Sequence, residues 1–282
     1  MGVIVRAPML NTFAMPNRML NGACRISQRY GTTRFVANDG NYFADHFGVL
    51  PSPALESWGG QLKTDGPADC PTYFRVDVNA ASASVGAGDY VLLRQHIESS
   101  LVSDFEWGGS TAKTVVLGFK VRSNVTGTYS IALRNSGSTR CYVSTFTIAA
   151  ANTWQDVTFV VPGDTTGTWF SGGADPGIRF QVALKMGSTN GTATLNQWQA
   201  AGYYGGSGLS NLWATINNWM DFGKFYCRLA TTPPIIDAIP VAQELLLLRT
   251  RRRWCAFNFF QVHLVRRPVP LEVPDAADRG HR

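Results

Sequence analysis

The chain has 282 residues, of which 45% are apolar and only 16% charged, with 28 glycines and a formal net charge of +6 at pH 7. This length allows a sizeable core in one large domain or two smaller ones, without disulfides or metal. High glycine and low charge are typical of a β-sandwich or barrel and argue against a helical bundle.

The distribution of charge argues against a nucleic-acid partner. Residues 249–282 hold eight arginines and three acidic residues, a net of +5, whereas the rest of the chain holds 17 basic and 16 acidic residues, a net of +1. The positive charge therefore belongs to a basic tail, and we predict a nearly neutral folded body that does not bind nucleic acid.

The cysteines and the apolar runs exclude several further classes of protein. The five cysteines are widely spaced and odd in number, at positions 24, 70, 141, 227 and 255. We therefore expect buried free thiols rather than a disulfide framework or zinc site, and no other cofactor or metal. No long apolar run occurs, so we expect neither a signal peptide nor membrane insertion.

The N-terminal segment has no sustained periodicity. Residues 1–35 contain Pro, Asn and Gly in irregular order, with room for one short strand in NRMLNGACRISQRYGTT (17–33). We predict an attachment arm over 1–35, followed by a folded domain over 36–232.

A two-residue alternation dominates the middle of the chain. In TVVLGFKVR (114–122), Leu117, Phe119 and Val121 share one face and Lys120 lies on the other. The same pattern occurs in TYFRVDVN (72–79), DYVLLRQHIE (89–98), TYSIALRN (128–135), CYVSTFTI (141–148), WQDVTFVVP (154–162) and GIRFQVALKM (177–186). Short connectors rich in Gly, Asn and Ser separate these segments. This pattern predicts an all-β fold, an antiparallel jelly-roll β-sandwich with one wet face on each sheet.

The pattern changes after residue 232. A short C-terminal helix is predicted over 233–256 from a candidate N-cap, a first-turn proline and an apolar stripe: Asp237, Pro240, Val241, Leu245 and Leu248. Residues 257–282 form a basic, Pro-rich tail, which we expect to be extended.

Catalytic motifs are missing from the sequence. It contains no G-x-S-x-G, H-E-x-x-H or P-loop pattern. Asp104 and Glu106 are spaced like a pair of glycosidase carboxylates, but a solvated loop explains them better. His96 alternates with strand residues, which favours a hydrogen-bonded position in a sheet. We therefore predict a non-enzyme with no catalytic residues.

The aromatic segment WQAAGYYGGSGLSNLWATINNW (198–219) indicates a binding function. Sugars stack their apolar faces on aromatic rings, and nearby amides and hydroxyls bind their OH groups. We predict that Tyr203, Tyr204 and Trp213 bind glycan. The alternative is that these rings pack the rim of the sandwich or a subunit interface.

Several stretches resemble bacteriophage tail-fibre and head-fibre virion proteins that carry a carbohydrate-binding-like jelly roll. They are NRMLNGACRISQR (17–29), RQHIE (94–98), WGGSTAKTVVLGFKVRSNVTGTYSIALRNSGSTRCYVSTFTIAAANTWQDVTFVVPGDTTGTW (107–169) and AQELLL (242–247). The resemblance implies a virion structural protein that is assembled in the host cytoplasm and displayed on the particle, with host surface polysaccharide as ligand. It carries no catalytic residue, and the tail after residue 248 has no counterpart in the family.

By analogy with fibres we expect a homotrimer that contacts other virion proteins through both terminal arms. Four arginines of the C-terminal arm suit an acidic partner surface: Arg249, Arg251, Arg252 and Arg253. Two alternatives remain. One is a capsid decoration or cement protein, or a head fibre, that stabilises the particle through the arms. The other is a glycan-degrading enzyme, which the absence of an internal repeat disfavours.

Overall fold

The computed structural model describes residues 17–52, 56–170, 175–233 and 241–250, with side chains up to Leu248 in the last range. Two antiparallel sheets pack face to face, which confirms the predicted all-β sandwich. The strands in these ranges are β1 (Phe35–Ala37), β2 (Asn41–Ala44), β3 (Phe47–Ser52), β4 (Trp58–Lys63), β5 (Tyr73–Val78), β6 (Tyr90–Glu98), β7 (Val115–Ser123), β8 (Gly127–Arg134), β9 (Cys141–Ile148), β10 (Gln155–Val161), β11 (Pro176–Met186), β12 (Gly191–Thr192), β13 (Trp198–Gln199), β14 (Gly205–Gly206) and β15 (Trp219–Leu229). The helices are α1 (Ser99–Val102) and α2 (Val241–Thr250), and 3-10 turns span Ser103–Phe105 and Leu212–Ala214.

Thirteen of these strands form one six-stranded sheet, in the order β1-β4-β5-β15-β7-β10, and one seven-stranded sheet, in the order β13-β9-β8-β11-β6-β3-β2; the remaining two, β12 and β14, form a separate pair. The seven segments predicted from alternation are confirmed as β5 to β11. In β10, for example, Val157 and Phe159 are buried while Thr158 and Val160 are exposed. Side chains that alternate along each strand therefore give each sheet one face in the core and one facing outward.

An aromatic cluster around Phe119 of β7 joins the two sheets. Its ring centre lies 5.4 Å from that of Phe225 in its own sheet, and 5.4 Å from Phe146 and 6.3 Å from Phe180 in the opposite sheet. Each ring is almost wholly buried. Burial of such a side chain contributes about 1.5–3 kcal/mol before entropy is counted, so this cluster fixes how the sheets pack.

The predicted attachment arm over 1–35 is too long. Residues 1–16 lie outside the described residues, but residues 17–34 form turns packed against the sandwich, with no strand before β1. Met19 and Leu20 are buried in the core, and the Leu20 carbonyl accepts a hydrogen bond from Gln95 Nε2 at 2.8 Å. The buried Asn21 amide holds the turn by donating to the Ile26 carbonyl at 2.7 Å. Residues 17–34 therefore belong to the folded domain, because apolar side chains in this segment are buried in the core.

The C-terminal helix is shorter than the prediction of 233–256, because α2 spans Val241–Thr250. Its buried side chains are Glu244 and Leu248, whereas Val241 is 42% exposed. The predicted stripe was therefore wrong at Val241, since the helix turns a different face to the sandwich. The predicted N-cap, the first-turn proline and the tail 257–282 lie outside the described residues.

Residues 187–211, here called the cover segment, cross part of the outer face of the seven-stranded sheet. Within it β12 and β14 pair in parallel. A Cβ atom added at Gly205 would lie 2.7 Å from Ser130 Oγ and 2.8 Å from Ala183 Cβ. Only glycine permits so close an approach of backbone to sheet. The outer face of this sheet is therefore partly covered.

Candidate functional site

Trp213, one of the three residues predicted to bind glycan, lies in the core. Its side chain has no exposed surface. It sits in a short 3-10 turn whose preceding residue, Asn211, accepts a hydrogen bond from the Trp213 backbone N–H at 2.9 Å. An indole with no exposed face cannot stack on a sugar, so the assignment of Trp213 is corrected. The alternative weighed for this segment, packing of the sandwich, describes its position.

Tyr203 and Tyr204 belong to the cover segment and pack on the outer face of the seven-stranded sheet. Tyr203 packs on a small cluster formed by three outward-facing residues, namely Ala132, Cys141 and Val143. Tyr204 stacks on Tyr90 with ring centres 4.7 Å apart, and the Arg134 guanidinium lies 3.9 Å from the centre of its ring. These neighbours occupy ring surface that a sugar would need. The structure therefore does not bring the predicted trio together as a stacking surface.

The possible carboxylate pair is split between two ion pairs. Asp104 accepts a hydrogen bond from Arg18 Nη2 at 2.6 Å, whereas Glu106 is bound by the Lys113 ammonium. The hydrogen bond from Lys113 lowers the pKa of Glu106, whose side chain is exposed. A general acid needs a raised pKa and a proton to give, so this arrangement does not fit glycoside hydrolysis.

The arginines predicted to make assembly contacts lie at the C-terminal end of α2 and beyond it in the sequence. Arg251, Arg252 and Arg253 lie outside the described residues, and so does the side chain of Arg249. Their role remains a prediction.

The outer face of the six-stranded sheet carries a feature that was not predicted. Asp221 of β15 lies between Arg75 of β5 and Arg122 of β7 in the sheet register. Arg75 donates to both carboxylate oxygens at 2.7 and 2.9 Å, and Arg122 Nη2 donates at 2.7 Å. Asp221 has no exposed surface, although its strand neighbours Met220 and Phe222 show that its own side chain faces outward. Other groups must therefore cover it.

The half-buried indole of Trp219 lies against the two arginines that bind Asp221. Trp219 lies two residues before Asp221 on the same face of β15. Its ring centre lies 4.0 Å from the Arg75 guanidinium and 5.2 Å from that of Arg122. Guanidinium groups stack favourably on indole faces. The ring thus rests on two arginines held by one buried carboxylate, and its exposed part faces solvent.

Trp154, just before β10, extends this aromatic surface. The Arg122 guanidinium lies 4.8 Å from the Trp154 ring centre, and the Tyr73 ring meets that indole edge-on at 5.2 Å. Burial, with the nearby Asp221 carboxylate and the hydrogen bond to Asp65, raises the pKa of Tyr73 to about 12. The hydroxyl therefore stays protonated. We call the set Tyr73, Arg75, Arg122, Trp154, Trp219 and Asp221 the indole surface.

The charges around the indole surface are balanced. Arg34 is paired with Asp77 at one side, and Lys120 lies 3.0 Å from Asp69 and 3.1 Å from Asp156 at the other. Such a surface offers rigid aromatic area with hydrogen-bonding groups around it and little net charge. That combination suits an uncharged polar ligand with an apolar face.

A groove adjoins the indole surface at the edge of the sandwich. It has a volume of about 440 Å³ and runs between β9 and β10. Its polar lining includes Asp156, Thr158, Ser144 and Asn196. Asp156 also belongs to the Lys120 ion pairs beside the indole surface. The groove and the ion pairs beside the indole surface therefore share Asp156.

Sequence reasoning missed this surface because its members come from distant strands. In the sequence, Trp219 is only the last residue of the aromatic segment 198–219. A usable signal was nevertheless present, since Trp219 and Asp221 alternate with the buried Met220 and Phe222. The pairing of that polar face with Arg75, 146 residues away, is visible only in the sheet.

The described residues contain no group of three or more His, Cys, Asp or Glu side chains that could hold a metal ion. None of the helices within those ranges is long and apolar enough to cross a membrane.

No family model matches the chain, and neither does any curated protein. One solved structure with a similar fold is the enzymatically active domain of tailspike protein 4 from bacteriophage CBA120, with 12% identity and a TM-score of 0.39 over 76% of this chain and 22% of that chain. Another is the TmCBM61 module in complex with β-1,4-galactotriose, with 8% identity and a TM-score of 0.35 over 76% of this chain and 99% of that one. A third is the CBM22-2 xylan-binding domain of Xyn10C from Paenibacillus barcinonensis, with 10% identity and a TM-score of 0.35 over 70% and 99% of the two chains.

The chain thus spans 22% of the length of the tailspike chain. At TM-scores this low, these likenesses carry no argument about function. The class that the described residues define is an all-β sandwich of two antiparallel sheets with an outward-facing aromatic surface.

Proposed function

We propose that this chain is a bacteriophage virion protein of the tail-fibre type, which attaches the particle to host cell-surface glycan without cleaving it. The observation that carries the glycan-binding part is the position of Trp219, half-buried on two guanidiniums with the rest of its ring toward solvent. The virion part is supported by the sequence resemblance of residues 107–169 to phage fibre proteins.

The indole surface is prepared for binding before a ligand arrives. Trp219 is held by Arg75 and Arg122, which are themselves fixed by the buried Asp221. A ring that is already immobile loses little side-chain entropy when a sugar stacks on it. Because the nearby charges are paired, the ligand that fits best is a neutral saccharide segment. Several copies in one homotrimeric particle component would multiply a weak single-site affinity.

Binding by purified protein tests the glycan part of this proposal. We expect Trp219→Ala and Trp154→Ala to weaken binding to host cells and to neutral oligosaccharides by about tenfold or more, as for central aromatic contacts elsewhere. The matched control is Ile216→Ala, which truncates a 53% exposed side chain outside the indole surface. Unfolding curves separate lost binding from lost fold. Unchanged binding by both tryptophan variants that remain folded would overturn the assignment.

The virion part requires the intact particle. Cryo-electron microscopy should place the copies at the tail or projecting from the particle, with the indole surface outward. Truncation of residues 249–282, which removes the arginine cluster Arg249, Arg251, Arg252 and Arg253, should reduce incorporation if the arm contacts other virion proteins. Copies bridging capsomers with the indole surface buried would instead mean a decoration protein.

A further inference from the structure

Three arginines and one histidine meet on the outer face of the seven-stranded sheet. Arg134 of β8 is directly opposite Arg179 of β11, and Arg179 is directly opposite His96 of β6. Arg94 lies two residues before His96 on the same face of β6. Directly opposed residues on antiparallel strands have their Cα atoms about 5 Å apart. The sheet register therefore concentrates three cationic groups in a small area beside the cover segment.

None of these three guanidiniums forms an ion pair within the described part of the chain, whereas Arg18, Arg34, Arg75, Arg122 and Arg140 all do. The Nε atoms of Arg94, Arg134 and Arg179 are buried without a hydrogen-bond acceptor. Arg134 is only 2% exposed. Glu98, the acidic residue on the same strand as Arg94, accepts a hydrogen bond from the Ser100 hydroxyl at 3.4 Å.

The remaining contacts of the arginines are weak or aromatic. Arg179 Nη1 donates to Ser138 Oγ at 3.3 Å. The Arg134 guanidinium lies over the Tyr204 ring at 3.9 Å, and that of Arg94 lies 5.7 Å from the centre of the Tyr42 ring. These contacts orient the groups but do not neutralise them.

The positive charges of the three arginines affect the pKa of the neighbouring His96. Burial and the charges of Arg94, Arg179 and Arg134 lower the pKa of His96 to about 3. The imidazole is therefore neutral at physiological pH and adds no charge. Burial and the other two arginines also lower the pKa of Arg179. The prediction of a hydrogen-bonded sheet position for His96 thus missed its main neighbours, which are cations.

Such an arrangement costs stability. Like charges directly opposite each other destabilise a sheet, and buried polar atoms without partners cost more. Residues that lower stability without a structural gain are typical of binding sites. A bound oxyanion would offset this loss of stability, because guanidinium groups hold carboxylate and sulfate oxygens by paired hydrogen bonds. Its negative charge would also reduce the repulsion between the arginines.

We propose that Arg94 and Arg179 bind the carboxylate of an acidic saccharide on the side of the sandwich opposite the indole surface, and that the buried Arg134 adds its positive charge to this site. The rings of Tyr42 and Tyr90 lie beside the cationic groups and supply apolar area. A nucleic acid fits less well, because the chain apart from residues 249–282 carries a net charge of only +1 and an extended phosphate backbone needs a basic stripe. This inference does not depend on the proposed function of the indole surface.

Calorimetry with a defined oligogalacturonate tests the site. We expect Arg179→Gln to weaken binding by about 30-fold or more, since it removes a charged partner from a partly buried contact. The same substitution should leave the folded protein as stable as before or more stable, because it relieves repulsion. The control is Arg29→Gln, which removes an exposed arginine that does not belong to the cluster. This variant should bind the oligogalacturonate as the unmodified protein does.

The outcomes separate the possibilities. Selective loss in Arg179→Gln with stability retained supports the site. Loss of stability in Arg179→Gln would show that the arginines stabilise the fold. If Arg29→Gln weakened oligogalacturonate binding as much as Arg179→Gln does, the effect would be one of general charge. Displacement by sulfate or single-stranded DNA at the same concentration would overturn the saccharide assignment. Trp219→Ala should leave oligogalacturonate binding intact, so failure of the proposed function and failure of this site can be told apart.

Discussion

The guanidinium of Arg75 lies 4.0 Å from the centre of the Trp219 ring while it donates two hydrogen bonds to the carboxylate of Asp221. The aromatic surface of the six-stranded sheet therefore rests on a buried ionic group. Binding and stability are coupled at this point, because the residue that would meet a ligand is positioned by residues that stabilise the fold.

We expect Asp221→Asn to lower the free energy of unfolding by about 3 kcal/mol, because it leaves two guanidiniums without their buried counter-charge. The matched control is Asp156→Asn. That carboxylate is 72% exposed where it pairs with Lys120, and its removal should cost less than about 1 kcal/mol. Urea unfolding of the two variants measures both values. Equal losses would show that the Arg75–Asp221–Arg122 row does not stabilise the fold.

Trp213→Ala should lower the free energy of unfolding by about 3–5 kcal/mol, as expected when a buried indole is deleted from a core. A glycan-binding residue on the surface would cost little stability. Ile216→Ala, three residues further on and 53% exposed, should change stability by less than about 0.5 kcal/mol. Thermal or denaturant unfolding gives the comparison. A stable Trp213→Ala protein with weakened sugar binding would restore the original prediction for this residue.

Gly118→Ala should destabilise the sandwich by about 1–3 kcal/mol through overpacking. A Cβ atom at this position would lie 2.5 Å from the Val157 carbonyl oxygen and from the Tyr226 ring. The Tyr226 hydroxyl is held there by Thr158 Oγ1 at 2.8 Å, so the ring cannot move away freely. Gly88→Ala is the control because a Cβ atom at Gly88 meets nothing within 4 Å. Similar unfolding midpoints for the two variants would contradict the close approach.

The stability of the protein should fall in acid partly because of Asp164. Burial acts to raise the pKa of this carboxyl, but hydrogen bonds from Arg140, Thr166 and Trp169 outweigh burial and hold the pKa below its ordinary value of 3.8. A group whose folded-state pKa is lowered stabilises the fold above its unfolded pKa and loses that contribution as pH falls through the folded value. The loss should therefore begin near pH 3.8 and continue below it.

Asp164→Asn isolates this contribution. The variant should be less stable than the unmodified protein at neutral pH, and the difference should shrink as pH falls below about 4. Urea unfolding at several pH values between neutrality and acid measures the difference. A constant difference over the whole range would show that Asp164 does not titrate with a lowered pKa.

The four cysteines in the described residues should resist thiol reagents until the protein unfolds. All four are free and buried. Burial raises the pKa of Cys227 to about 12 and, with the nearby Asp69, that of Cys70 to about 11. Only the thiolate reacts. In a Cys255→Ser background, which removes the cysteine outside the described residues, a disulfide reagent should react with native protein only slowly and with four thiols after denaturation. Rapid reaction of the native protein would contradict this burial.

How far the sequence could be interpreted differs from one feature to another. The alternation around Phe119 predicted a strand with an apolar face, and β7 has that face in the core. The same reasoning was wrong at Val241, where an apolar stripe of three residues did not indicate which face of α2 is buried. Aromatic content predicted a glycan-binding segment, which stays a prediction, and it could not distinguish the buried Trp213 from the half-buried Trp219, because both lie in one polar, Gly-rich segment.

By itself, the sequence determined that this protein is a sandwich of antiparallel strands with a nearly neutral body. The reason is that the direction of side chains along a strand repeats every two residues and can be followed locally. Only the tertiary structure decided which outward-facing residues meet. Arg75 and Asp221 are 146 residues apart, and Arg122 and Asp221 are 99 residues apart. Strand order and register create these neighbours, and both are set by packing of the whole core rather than by any short segment of chain.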